Sequence, residues 1–184
     1  MPRKYTSRFD PRIRDFPYDI SLMRCRPKAV MERLEREAAS AHSMRLWFCG
    51  LKDFSFLARF PRLRVLEVAD WLAPDLRALR YTPELRGLRI LHLPKVRDLM
   101  PLGQLRRLEC LYLETLPSWD ASQKANHFRS IKPLTRLTRL RKLGVECAEF
   151  GDGLKPLAKL RGLRWLGLSC RYPITEIAFL AGLM

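Results

Sequence analysis

What the chain lacks narrows its chemistry. Its five cysteines (Cys25, Cys49, Cys110, Cys147, Cys170) are odd in number and form no CxxC pair. That speaks against a disulfide framework or a zinc finger and for reduced thiols in a cytoplasm. The three histidines, His42, His92 and His127, are scattered, so no metal set is expected. No apolar run approaches the roughly 18 residues that cross a bilayer. The start, MPRKYTSRFDPRIRDF, is basic but has no apolar stretch of the kind a secretory leader carries. Phosphate-loop, nucleophile-elbow and zinc-hydrolase patterns are all missing, and Gly151-Asp152-Gly153 reads as a turn. No catalytic residue and no cofactor is therefore expected.

Acidic residues are scarce too, 19 against 35 basic, for a formal charge of +16. Of the basic residues 26 are arginine. Such a balance favours acidic partners, whether protein, nucleic acid or an anionic surface. A general bias toward arginine in the source genome would produce the same count. At 184 residues and 47% hydrophobic content, the chain can bury a core of one domain or one repeat array.

What is present is repetition. The phrase GLRILHL at 87–93 has close counterparts in RLRVLEV (62–68), RLECLYL (107–113), RLRKLGV (139–145) and GLRWLGL (162–168). Aligned as L-x-x-L-x-L, with a weaker copy at Leu46 and Phe48, the middle leucines fall at 46, 66, 91, 111, 143 and 166. Alternation at L-x-L puts two side chains on one face of a short strand. One such strand cannot bury that face, but stacked copies can. Between the phrases a second apolar series steps by three, as in Leu51, Phe54, Leu57, Phe60 and in Val96, Leu99, Leu102, Leu105. With Pro61, Pro101, Pro133 and Pro156 among them, these segments predict brief 3₁₀ or short helical returns.

These phrases resemble the short-repeat class of leucine-rich repeat (LRR) proteins over roughly residues 43–184. The resemblance implies an α/β solenoid, a horseshoe arc with a parallel β-sheet on its concave face and 3₁₀ returns on its convex side. It also implies recognition of another protein without chemistry. The family usually carries Asn or Cys five residues after the middle leucine. Here those places are read as Leu51, Trp71, Val96, Leu116, Ala148 and Arg171, so no amide ladder is expected.

Three regions depart from the repeat. Residues 1–16 read as a mobile basic arm. Residues 17–42 read as an N-terminal cap, a strand near Ile20 and Leu22 followed by a helix over 27–41, with Pro27 in its first turn and Glu32–Arg36 and Arg33–Glu37 as i,i+4 pairs. A polar insertion, PSWDASQKANHFRSI (117–131), carries Trp119, His127 and Phe128 and is expected as a surface loop beside the binding face. At the far end, Ile174, Ile177, Leu180 and Leu183 read as a lid, as the cut edge of a longer array, or as a surface covered by a partner or a second copy.

The register assigns faces. The concave positions are read as Arg45, Trp47, Glu67, His92, Tyr112, Glu114, Lys142, Glu146 and Trp165. Six parallel strands about 4.8 Å apart make a palm roughly 25 Å wide, aromatic and mixed in charge, as protein-binding surfaces are. The alternative site is a basic rim at the strand starts, Arg62, Arg64, Arg86, Arg89, Arg106, Arg107, Arg139, Arg141, Arg161 and Arg164. It would suit nucleic acid or an acidic partner, or simply keep a leucine-rich array soluble.

Overall fold

In a computed structural model, seven parallel strands form one sheet in strictly sequential order. The structure describes residues 8–13, 15–37, 40–115, 125–148, 153–170, 174 and 177–183. The strands are β1 (Ile20–Met23), β2 (Ser43–Trp47), β3 (Val65–Ala69), β4 (Gly87–Leu91), β5 (Cys110–Glu114), β6 (Lys142–Cys147) and β7 (Trp165–Cys170). One α-helix, α1 (Pro27–Arg36), follows β1. Beyond it the returns are 3₁₀ helices at 55–59, 77–81, 100–104, 132–136, 155–159 and 178–183. Each repeat is thus a strand and a short return, and a continuous apolar layer between them forms the core.

Four of the returns share a starting device. The carboxylate of Asp53 accepts the backbone N–H of Ser55 at 2.9 Å, Asp75 that of Arg77 at 2.9 Å, and Asp98 that of Met100 at 2.8 Å. Ser130 Oγ does the same for Lys132 at 3.0 Å. A side chain bonding the backbone two residues on folds the chain into a turn without outside help. In three returns a proline follows in the first turn, where its missing N–H costs nothing.

Pairing corrects the register read from the sequence. Leu66 lies beside Leu88, Leu88 beside Leu111, Leu111 beside Leu143, and Leu143 beside Leu166. Met44 lies beside Leu66 on the other side. The repeating leucine of β4 is therefore Leu88, not Leu91, and that of β2 is Met44, not Leu46. The phrase of β4 is Leu85-x-x-Leu88-x-Ile90, and Leu85, Leu88 and Ile90 are fully buried. From positions 44, 66, 88, 111, 143 and 166 the steps become 22, 22, 23, 32 and 23. Leu88→Ala should cost about 2–5 kcal/mol, the range for a cavity in a closed core. A thermal or urea melt checks this, and a loss below about 1 kcal/mol would contradict its place in the core.

The corrected register also moves the turn positions. Five residues past the repeating leucine now stand Cys49, Trp71, Leu93 and Ala148, all buried. Trp71 stacks flat on Phe54, with ring centres 3.7 Å apart, and its indole N–H donates to the Asp75 carbonyl at 3.0 Å. Cys49 Sγ reaches the Leu22 and Trp47 carbonyls at 3.5 and 3.6 Å, and burial raises its pKa, keeping it a thiol.

The amide missing from these positions is supplied by the insertion. Asn126 is completely buried. Its Oδ1 accepts the N–H of Leu93 at 2.9 Å, and its Nδ2 donates to the carbonyls of Glu114 and Glu146, both at 3.0 Å. One side chain thereby closes the strand ends of three successive repeats. An amide ladder is thus not absent but gathered into one residue.

The helix ends at Arg36, where Glu37 turns to an extended backbone, short of the 27–41 expected. Val30 and Leu34 are its buried face, and Arg33 pairs with Glu37 at 2.7 Å. Soon afterwards the Asp19 carboxylate accepts the N–H groups of His42 and Ser43 at 2.7 and 3.0 Å, which sets the entry into β2.

Candidate functional site

The concave face is built from three columns of side chains. One runs Val65, Gly87, Cys110, Lys142, Trp165. The central one runs Ser21, Arg45, Glu67, Arg89, Tyr112, Gly144, Gly167. In the third, Met23, Trp47, Ala69, Leu91 and Glu114 are successive neighbours, as are Glu146 and Ser169.

Charge alternates down the middle column. Arg89 donates to Glu67 and to Glu114, both at 2.7 Å. Arg45 pairs with Glu67 at 3.0 Å and lies over the Trp47 ring at 4.5 Å. Glu67 is 1% exposed, so its charge is tolerable only because two guanidiniums hold it. For Arg89, burial alone would lower the pKa. Glu114 and Glu67 together outweigh that and raise it, so the cation is locked.

Arg89 was expected on the rim and is instead the hub of the palm, while His92 was expected in the palm and leaves it. His92 follows β4 at φ +62, as Arg24, Phe48 and Asp70 follow β1, β2 and β3 at positive φ. These four residues turn out of the sheet, and each donates its N–H to the neighbouring strand's last carbonyl: Trp47, Ala69, Leu91 and Glu114. His92 is therefore buried at the strand end, with Nε2 3.9 Å from Asp70.

A second surprise lies across the palm. Residues 8–13 and 15–18, the end of the region read as a mobile arm and the start of the cap, form a strap from β3 to β7; residues 1–7 and 14 lie outside the described residues. Asp10 is buried, accepting the Tyr112 hydroxyl at 3.2 Å and the Lys142 ammonium at 2.7 Å. Phe9 is buried too, with the Arg86 guanidinium 4.8 Å from its ring. Arg12 lies over the rings of Tyr112 and Trp165 at 4.9 and 5.3 Å, and 3.6 Å from Glu114. The Tyr18 hydroxyl donates to Glu67 at 2.8 Å.

Burial, reinforced by Asp10 for Tyr112 and by Glu67 for Tyr18, pushes both phenols well above their ordinary pKa, so each stays a donor. Gly87 is what admits the strap. A Cβ there would sit 1.8 Å from the Phe9 carbonyl oxygen. Tyr112, 2% exposed, and Glu114, 7% exposed, are thus covered rather than offered to solvent.

The open part of the palm is its far end. Trp165 is 41% exposed. Its ring lies across Gly167, and the Tyr112 ring lies across Gly144; a Cβ would come within 2.5 and 2.8 Å of them respectively. Beside Trp165 runs a groove of about 240 Å³ lined by Arg12, Glu114, Glu146 and Ser169. Glu146, half-buried, accepts the N–H and hydroxyl of Thr115. Trp47, at the opposite end, is half-buried beside Met23 and Phe48.

Elsewhere the rim is interrupted. Arg86 pairs with Glu109 and Arg107 with Glu84, while Arg106 and Arg141 donate to carbonyls of the next repeat, those of Arg136 and Gly162. Arg62, Arg64, Arg139, Arg161 and Arg164 are exposed. In the insertion, Trp119 lies outside the described residues, His127 is exposed, and Phe128 is buried in the core rather than displayed. Cys147 and Cys170 stand opposite each other in register without a disulfide between them. Among the described residues no group of three or more metal-ligating side chains converges, and no helix is long and apolar enough to cross a membrane.

Sequential parallel strands, 3₁₀ returns and a leucine column define a leucine-rich-repeat solenoid. No family model matches the chain, and no curated protein matches it. Among solved structures it is similar to an internalin of Listeria monocytogenes, with 21% identity and a TM-score of 0.58 over 76% of this chain and 44% of that one. It is also similar to internalin C2 of the same organism, with 20% identity and a TM-score of 0.51 over 77% of this chain and 57% of that one. The chain spans about half the length of these proteins, and at such identities the likeness is one of fold.

Proposed function

We propose that the protein is a non-enzymatic interaction module that binds an acidic partner protein at the open end of its concave face, as an adaptor, regulatory subunit or immunity-type protein. The observation that carries this reading is Trp165, a large aromatic left exposed over a shallow groove with polar edges at Glu146 and Ser169. Aromatic anchors of this kind supply much of the energy of protein interfaces, and a large exposed ring is unfavourable without a use. The charge of +16 would speed encounter with a partner of opposite sign. Five cysteines outside any disulfide suit a reducing compartment such as a cytoplasm.

Trp165→Ala should leave the fold intact, because the ring is half exposed, and should weaken partner capture by roughly 30-fold or more, the scale of a hot-spot truncation. The measurement compares capture from a nuclease-treated lysate of the source organism by the wild type and the variant, together with a thermal melt. Unchanged capture would remove this end of the palm as the docking surface. The exposed arginines Arg62, Arg64, Arg139, Arg161 and Arg164 favour nucleic acid as the second reading. Capture lost on nuclease treatment, or falling steeply as salt rises, would favour that reading.

A further inference from the structure

The strap has the marks of a bound ligand more than of a piece of the core. Three backbone hydrogen bonds run within it, from Ile13 to Asp10, Phe16 to Ile13 and Tyr18 to Phe16. Side chains of several chemical kinds supply much of its grip on the sheet. An aromatic ring, Phe9, lies by Arg86; a carboxylate, Asp10, is held by Tyr112 and Lys142; and a guanidinium, Arg12, lies on Tyr112 and Trp165 next to Glu114. Between the strap and the ionic centre is a polar cavity of about 330 Å³, lined among others by Arg45, Glu67, Arg89 and Asp15.

The sheet side of this site also has contacts of its own that do not involve the strap. Arg89 is fixed by Glu67 and Glu114, the Tyr112 ring is laid across Gly144, and Gly87 leaves room for a foreign backbone to approach.

We infer that the centre of the concave face is a peptide site, filled in cis by Phe9–Arg12, and that it takes from a partner protein a segment of the same chemistry: an aromatic residue, an aspartate directly after it, and an arginine two residues further on. This rests on the protein-binding reading above and names the partner's chemistry. The partner segment and the strap compete, so binding at the centre requires the strap to leave. A tethered competitor acts at an effective concentration of order millimolar, which sets a threshold that only a well-matched segment passes.

The test uses a fluorescent peptide of sequence RFDPRIRDFPY and the full chain. Weakening the strap by Phe9→Ala with Asp10→Ala should raise peptide affinity at least about tenfold over wild type, because the tethered competitor is lost. Adding Lys142→Ala should abolish the gain, and a peptide with alanine in place of its first aspartate should not bind. Equal affinity for wild type and variant, or binding that survives Lys142→Ala, would overturn the inference. So would a wild type that runs as a dimer by light scattering and dissociates on addition of the peptide, since the occupant would then be a second copy. Asp10→Asn, which keeps an acceptor for Tyr112 but drops the charge facing Lys142, is the milder companion. If it folds and binds peptide more tightly than wild type, the site is exchangeable; if both variants fail to fold, the strap is part of the core and the inference falls. Peptide failure while Trp165→Ala still weakens partner capture sinks the strap proposal alone.

Discussion

Asn126→Ala is expected to lower stability by about 3–5 kcal/mol, since three buried backbone groups lose their partner at once and each orphaned group costs about 1–3 kcal/mol. For a chain of this size that is a fall of roughly 6–20 °C in melting temperature at about 2–4 °C per kcal/mol. The groups are the Leu93 N–H and the Glu114 and Glu146 carbonyls, gathered around a side chain that is completely buried. Asn126→Asp keeps the acceptor for Leu93 but turns both donors into lone pairs facing carbonyls, so it should do no better. Differential scanning calorimetry on both variants checks the point. A shift within about 0.5 kcal/mol, typical of an ordinary surface position, would show that the insertion is only a tolerated loop.

The second large effect belongs to Glu67. Removing it as alanine leaves Arg45 without its carboxylate, halves the pairing of Arg89, and takes away the acceptor of Tyr18. Breaking one partner of a buried pair costs about 3–5 kcal/mol, because the remaining charge stays desolvated. The sign is diagnostic in a double-mutant cycle. Glu67→Ala with Arg89→Ala should cost less than the sum of the two single changes, by about 1–3 kcal/mol, as the second change removes the stranded cation. Additive losses in urea melts would mean that the two side chains do not share the network.

The architecture was legible in the sequence because the leucine repeat is redundant; five good phrases survive an error in one. The site was less legible, for a reason of parity. The stretch LRGLRILHL (85–93) fits the L-x-x-L-x-L template in two ways, as Leu85-x-x-Leu88-x-Ile90 or as Leu88-x-x-Leu91-x-Leu93, and every template position is apolar in both. The two differ by three residues, and an odd slip exchanges the faces of a strand. Arg89 was therefore assigned away from the palm, and His92, buried at the strand end, to it. At β2 the slip was two residues, from Met44 to Leu46. An even slip keeps faces, so Arg45 and Trp47 stayed on the concave side. The near-constant step of 22 to 23 residues would have favoured Leu88 over Leu91.

The remaining misses involve long-range partners. Nothing local marks Asn126 as the amide that closes three strand ends, because its partners lie 12 to 33 residues away. The strap was read as mobile because basic residues dominate it, and its partner sites exist only once the sheet has formed. The Asp-x turn starters before the returns were, by contrast, a local signal present in the sequence at Asp53, Asp75 and Asp98.

The strap also fixes an order of events. Its bonds from Asp10 to Tyr112 and Lys142 close loops of 102 and 132 residues, whereas four of the returns begin from a bond spanning two. Closing a long loop is entropically dearer and slower than closing a short one. Assembly can therefore grow strand by strand along the arc, and Asp10 finds its place only when the fifth and sixth strands already stand side by side. A refolding experiment that follows Trp165 through its stacking with Arg12 should record that docking as the closing phase.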